Sequence, residues 1–332
     1  MTMRSWAGRS VLVTGADGFI GSHLVERLAA LGAHVRAFCL YNSNGSLGWL
    51  DGAGELRNSL DVRLGDIRDA RYVEEACRGI DVVFHLAALI AIPYSYQAPE
   101  SFIDTNVKGT LNVLEAVRRA GCLRLIQTST SEVYGTPATL PILETHALQG
   151  QSPYSASKIA ADKLCEAYHR SYGVPVVTLR PFNTYGPRQS TRAVLPTMLV
   201  QLMKGKKDIK LGRLDPRRDL TFVSDTVEGF VLAGQADGID GEVIQLGTGR
   251  TVSVADLFEI ACAALKVTAR VVQDDARVRP DASEVMVLLS DPSKARDRLG
   301  WTPSVSVEDG VSRTAQWLST YAHLYGAEHY HV

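Results

Sequence analysis

Three features of the sequence predict an α/β fold built on a doubly wound parallel sheet. Short β-branched runs alternate with helical patterns through the first half, the strands are apolar almost end to end, and turn residues separate them. Strands apolar on both sides need cover on both faces, which right-handed helical crossovers provide.

"SVLVTG" reads as the first strand, after which Ile20, Leu24, Leu28 and Leu31 recur at helical spacing up to Gly32. "HVRAFCL" is the second strand and "DVRLGD" the third, across a Gly- and Asn-rich loop. The helical "ARYVEEACRG" leads into a fourth strand, "DVVFHLAA". A long helical pattern spans "TNVKGTLNVLEAVRRAG", followed by the strand "LRLIQTS", a helix from Pro153 to about Tyr172, and the strand "PVVTLRP". Beyond Arg180 the rhythm loosens into Pro-, Gly- and Arg-bearing loops, "FNTYGPRQS", "GRLDPRRD" and "ARVRPDAS", which point to a smaller lobe closing over a ligand. The expected division is a dinucleotide-binding domain over 1–180, to which 220–248 returns, and a mixed α/β substrate lobe from 181–219 and 249–325. The tail "YGAEHYHV" reads as loosely held.

The 332 residues are 45% hydrophobic and 21% charged, enough for a large core. Lys and Arg number 35 against 36 Asp and Glu, a net charge of -1 without a basic stripe, which argues against a nucleic-acid partner. No stretch approaches a membrane span, and "MTMRSWAGRS" lacks a signal-peptide pattern, so a cytoplasmic protein with no membrane contact is expected. The five cysteines are far apart and form no C-x-x-C pair, so they are expected to be reduced and mostly buried. Without clustered ligands no metal site is expected.

In "TGADGFIG", Gly15, Gly18 and Gly21 sit at the turn from first strand to first helix. Such a turn needs residues without Cβ, to reach its backbone angles and to let a pyrophosphate approach the helix N-terminus. This is the Rossmann-type arrangement for NAD or NADP, and Asp17, Phe19 and Ile20 within it are expected to touch the cofactor. The acidic residue that usually ends the second strand is missing: Cys39-Leu40-Tyr41 stands there, and the next carboxylate is Asp51. Asn42, Ser43 and Asn44 could bond either cofactor form. Asp66, with Ile67 behind it, either faces the adenine or caps the helix "ARYVEEACRG". Leu86, Ala87 and Ala88 are small enough for close approach of a cofactor, whereas His85 reads as a satisfied core histidine.

"SPYSASK" places Tyr154 and Lys158 four residues apart on one helix face. A tyrosine acting as a base near neutrality needs its phenolate stabilised by roughly 4 kcal/mol, for which a lysine one turn away and an oxidised nicotinamide are plausible sources. Upstream, "TSTSEVYG" tips an apolar strand with hydroxyls and one carboxylate, Glu132.

Together with "HLAA", "NVKGT", "RPFNTYGPR", "RRDLTFVSD", "RPDASE" and "LGW", these motifs resemble the extended short-chain dehydrogenases/reductases of the nucleotide-sugar epimerase/dehydratase family, in family order from Val11 to Trp301. The resemblance implies a Rossmann domain holding NAD(P), a nucleotide-sugar substrate, and a homodimer joined through helices at about 101–120 and 153–172. Carried over position by position, Thr130 matches the residue that bonds the sugar 4-hydroxyl, Tyr154 the base and Lys158 its partner. Asn106, Thr128 and Pro181 fall among the cofactor-contacting positions. Asn183 falls at the diphosphate side of the sugar nucleotide, Arg218 and Arg279 at positions that bind its diphosphate or ribose, and Arg192 among the substrate-binding positions.

Glu132 then acquires a role. Epimerases resemble this strand end but carry small or hydroxyl residues there, whereas a 4,6-dehydratase needs a carboxylate to take the C5 proton once C4 is a ketone. The Thr-Ser-Glu triplet resembles that of GDP-mannose 4,6-dehydratases. Thymidine-diphosphate-glucose dehydratases have Asp where Ser131 stands, so Glu132 has to serve as base and then proton shuttle. UDP-glucuronate decarboxylases share the triplet, but they depart from "QSPYSASK". "ALIAIPYSY" and "FNTYGPRQS" resemble bacterial dehydratases acting on nucleotide-activated N-acetylglucosamine in legionaminic-type acid synthesis. The expectation is a 4,6-dehydratase, with a 4-epimerase and then a decarboxylase as alternatives.

Overall fold

The computed structural model describes residues 5–278, 280–321 and 324–325. Its centre is a seven-stranded sheet of β1 (Ser10–Thr14), β2 (His34–Leu40), β3 (Asp61–Gly65), β4 (Val82–His85), β5 (Arg124–Thr128), β6 (Val176–Pro181) and β7 (Val243–Leu246). The strand order is β7-β6-β5-β4-β1-β2-β3, with every pair parallel. The order reverses between β1 and β4, so a crevice opens at their carboxyl ends, where such sheets bind ligands.

Alternation along the strands divides the core. Val11 and Val13 of β1 face α1 (Phe19–Ala30) and α5 (Val223–Gln235), packing with Leu24, Leu28 and Phe230. Leu12 faces the opposite layer, with Val73 of α2 (Ala70–Cys77), Val113 and Val117 of α3 (Gly109–Ala120), and Cys165 of α4 (Pro153–Tyr172). A strand covered on both faces must be apolar throughout, which is why β1 shows no polar alternation.

Helix α4 starts sharply. Ser152 and Ser155 form a capping box around Pro153 at the first turn, and Gly173 ends the helix in the left-handed conformation. This fixed start places Tyr154 in the first turn. Asp69, not Asp66, caps α2, accepting from the Arg71 and Tyr72 amides. Asp66 instead accepts from Arg68 through both carboxylate oxygens.

After β6 the chain adds short strand pairs. Thr184–Tyr185 runs parallel to Thr221–Phe222, and Arg217–Arg218 lies between Val252–Ser253 and Val287–Leu288. Helix α6 (Val307–Tyr321) brings Trp317 to within 5.4 Å of the Trp49 ring, against which Tyr325 also stacks at 6.1 Å. The first residue of the expected loose tail is therefore buried; 326–332 lie outside the described residues. The five cysteines are unpaired and buried. No helix among the described residues is long and apolar enough to cross a membrane.

Candidate active site

The glycine turn forms a cradle that side chains would fill. A Cβ on Gly15, which has φ +68°, would lie 2.9 Å from the Ala87 nitrogen, and one on Gly21 would lie 2.0 Å from the Gly15 oxygen. Gly18 caps α1 with no side-chain hydrogen bond, leaving first-turn amides open to an anion. Phe19 and Ile20 begin the helix, and Asp17 sits half-buried in the turn.

Across the switch point, His85 ties the two central strands together. Thr14 Oγ1 lies 2.8 Å from His85 Nδ1 and accepts from the Leu86 and Ala87 amides. His85 Nε2 meets Thr110 Oγ1 at 3.2 Å, and Thr110 donates to the Asn106 carbonyl. The chain of bonds is self-consistent with a neutral ring protonated on Nε2, and full burial lowers its pKa to about 3. His85 is a core histidine.

Asn106 lies in a π-helical turn, Ile103–Lys108. Its amide is fully engaged, accepting from the Leu89 amide and donating to the Leu89 carbonyl and Ser157 Oγ. It therefore latches the strap Leu86–Ala87–Ala88–Leu89 to α4 instead of offering a free group. Ile67 supports the same region from below, its carbonyl accepting from Asn112.

The catalytic candidates converge. Thr130 caps a 3-10 turn over Ser131–Tyr134, its hydroxyl accepting from the Glu132 amide. Tyr154 is buried against Ile92 and Phe102, the Phe102 ring lying edge-on at 6.2 Å. Burial raises its pKa above the usual tyrosine value; the neighbouring Thr130 hydroxyl opposes this, while the charges of Glu132 and Asp162 add to it. Lys158 follows one helical turn on. Its buried ammonium donates to the Thr128 carbonyl at 2.6 Å, and burial lowers its pKa against the pull of Asp162. The lysine is thus turned to the strand tip. Glu132 is half-buried, with no hydrogen-bond or ion-pair partner for its carboxylate among the described residues. Ser131 beside it is buried at 2% exposure.

Beneath these groups lies a network that sequence reasoning missed. Asp162 accepts from Ser129 Oγ at 2.7 Å and pairs with Arg180 at 3.0 Å, both charges buried. Arg180 also donates to the Tyr134 hydroxyl and lies over its ring at 5.0 Å. One ion pair therefore anchors both ends of the segment carrying Thr130 and Glu132. The only signal was Asp162 following Lys158 by one helical turn.

The buried polar atoms without a partner among the described residues include Thr128 Oγ1 at the tip of β5 and Asn183 Oδ1 just beyond Pro181 at the end of β6. Unsatisfied buried groups at a cleft fit a ligand that completes them. Of the arginines, Arg192 is exposed, whereas Arg218 is already paired to Glu284 at 2.8 Å. Arg279 lies outside the described residues.

These features place the protein among the extended short-chain dehydrogenases/reductases. Residues 12–314 match the family model described as GDP-mannose 4,6 dehydratase. A putative UDP-glucose 4-epimerase of Methanocaldococcus jannaschii is 31% identical over 93% of this chain and 98% of its own. A dTDP-glucose 4,6-dehydratase of Xanthomonas campestris is 32% identical over 93% of both chains. The crystal structure of a dTDP-glucose 4,6-dehydratase double mutant from Streptomyces venezuelae, with NAD bound, superposes with TM-score 0.83 at 30% identity, covering 95% of this chain and 98% of that one. The chain belongs to this nucleotide-sugar dehydratase and epimerase family.

Proposed function

We propose that the protein is an NAD-dependent nucleotide-sugar 4,6-dehydratase acting on a nucleoside-diphosphate hexose or N-acetylhexosamine. One observation carries this reading over simple epimerisation: Glu132 is a half-buried carboxylate without a protein partner among the described residues, close enough for its charge to shift Tyr154. The glycine cradle and the unpartnered Thr128 hydroxyl fit a dinucleotide at the switch point, with Pro181 and the Leu86–Ala88 strap lining it. When bound, the nicotinamide supplies a hydride acceptor for C4 and a donor for C6.

The chain's own residues do the rest. Thr130 orients the 4-hydroxyl and Tyr154 takes its proton, helped by the neighbouring Thr130 hydroxyl and opposed by burial. Lys158 holds the nicotinamide ribose from its seat on the Thr128 carbonyl. The new ketone acidifies the C5 hydrogen, which Glu132 removes. The same proton then leaves with the C6 hydroxyl as water, because buried Ser131 is too weak an acid to supply one. As C6 takes back the hydride, Glu132 relays a solvent proton to C5. Asn183, Arg192, Arg218 and Arg279 hold the diphosphate, and the exposed faces of 101–120 and 153–172 join two copies.

Mass spectrometry after incubation with a panel of nucleotide sugars tests the assignment. Loss of one water supports it. Release of carbon dioxide from a uronic acid would make the protein a decarboxylase, and unchanged mass with altered retention would make it a 4-epimerase.

A further inference from the structure

The second strand ends without the carboxylate that normally holds the adenosine ribose of NAD, yet the residues after it do not fill that role. Asn42 is closed on its own loop: its Oδ1 accepts from the Ser46 amide at 3.0 Å, and its Nδ2 donates to the Ser46 carbonyl at 2.8 Å. Asp51 is bound to Ser46 Oγ at 2.7 Å and the Leu47 amide at 3.1 Å, and pairs with Arg57 at 3.5 Å. Leu40 and Tyr41 are exposed apolar side chains.

A different carboxylate reaches this place from the glycine turn. The Ala16 amide donates to the Phe38 carbonyl of β2 at 3.3 Å, which sets Asp17 beside the strand's end. The Asp17 side chain leaves the turn against Gly48, where a Cβ would lie 3.1 Å from the Asp17 Cβ, and its charge adds to the burial that raises the neighbouring Cys39 thiol at the end of β2. The Asp17 backbone is clamped from outside, its carbonyl accepting from the Trp49 amide at 3.1 Å. Gly48 packs so tightly there that a Cβ would lie 2.5 Å from that carbonyl oxygen. Trp49 is in turn held by Trp317 and Tyr325.

We propose that Asp17, a residue of the glycine turn, takes over the ribose-binding role of the missing strand-end acid, bonding the adenosine 2′-hydroxyl and rejecting a 2′-phosphate. This rests on the reading that the cradle holds a nicotinamide dinucleotide. A carboxylate accepts a hydroxyl proton, but it repels a phosphate that carries its own negative charge and has no proton to give. The arginines that follow β2 and β3, Arg57 and Arg68, are paired to Asp51 and Asp66 and are not free to neutralise that phosphate.

Calorimetric titration of the full chain with NAD, NADP and 2′-deoxyadenosine NAD tests this without any turnover. In the wild-type protein, NAD is expected to bind about tenfold or more tighter than the 2′-deoxy analogue and about a hundredfold tighter than NADP, as for a hydrogen bond to a charged group. Asp17→Ala should bind NAD and the analogue within about twofold of each other and narrow the NADP gap at least about tenfold. Equal wild-type affinity for NAD and its 2′-deoxy form overturns the proposal, and needs no variant to fold. So does an Asp17→Ala protein that weakens all three ligands alike, since Asp17 would then only shape the turn. Failure of the wild type to bind any of the three would instead overturn the cofactor reading itself.

Discussion

Asp162 and Arg180 meet in a buried ion pair, Nη2 to Oδ2 3.0 Å, joining helix α4 to strand β6 below the Thr130–Glu132 segment. Both side chains are almost wholly excluded from water, at 3% and 4% exposure, so neither charge tolerates losing the other. Asp162→Asn is expected to lower unfolding free energy by about 3–5 kcal/mol. Denaturant melts of the single and double variants check this; a single variant within about 1 kcal/mol of wild type would mean the pair carries little.

The closeness of the glycine turn makes Gly21→Ala a severe substitution. Its Cβ would lie 2.0 Å from the Gly15 carbonyl, backbone against backbone, with no flexible side chain to yield. The variant is expected to lose NAD binding by calorimetry, or to fail to accumulate as soluble protein.

Acid sensitivity follows from His85. Its folded pKa is lowered to about 3, against 6.5 for an ordinary histidine. Between these values the unfolded chain binds a proton that the folded chain does not, so stability is full above about pH 6.5 and falls as pH drops toward 3. The loss amounts to roughly 4–5 kcal/mol at most. Denaturant melts across this window should show it, and His85→Gln should flatten the slope whatever it does to stability at neutral pH.

Asn106→Ala should release the Leu86–Leu89 strap by removing three hydrogen bonds at once. Amide exchange at Leu89 is expected to quicken, with about 1–3 kcal/mol of stability lost. Unchanged protection at Leu89 would contradict the latch.

Local chemistry was legible in the sequence and distant partnerships were not. The glycine turn and the Tyr154/Lys158 spacing could be read because each is complete within one helical turn or loop. The strands β1 to β6 fell where apolar runs put them, because strands covered on both faces leave an unbroken pattern. Of the two readings open for Asp66, the cap of α2 falls to Asp69 instead: "GDIRD" offers two aspartates, and only the bonds to Arg71 and Tyr72 choose between them. Nothing local to Arg180 or Arg218 names Asp162 or Glu284 as a partner, since each pair closes only when separate elements meet. Lys158 shows the same limit from the other side. Its spacing from Tyr154 was right, but the direction of its ammonium depends on where the tip of β5 ends.

In the proposed reaction Glu132 removes the C5 proton. The most direct test of that step is mass spectrometry of the sugar after incubating wild-type protein and Glu132→Gln with the accepted substrate in deuterated water. Wild type should yield a product lighter by one water with deuterium at C5, whereas Glu132→Gln should neither lose water nor take up deuterium there. Dehydration by Glu132→Gln at a rate near that of wild type would contradict the account.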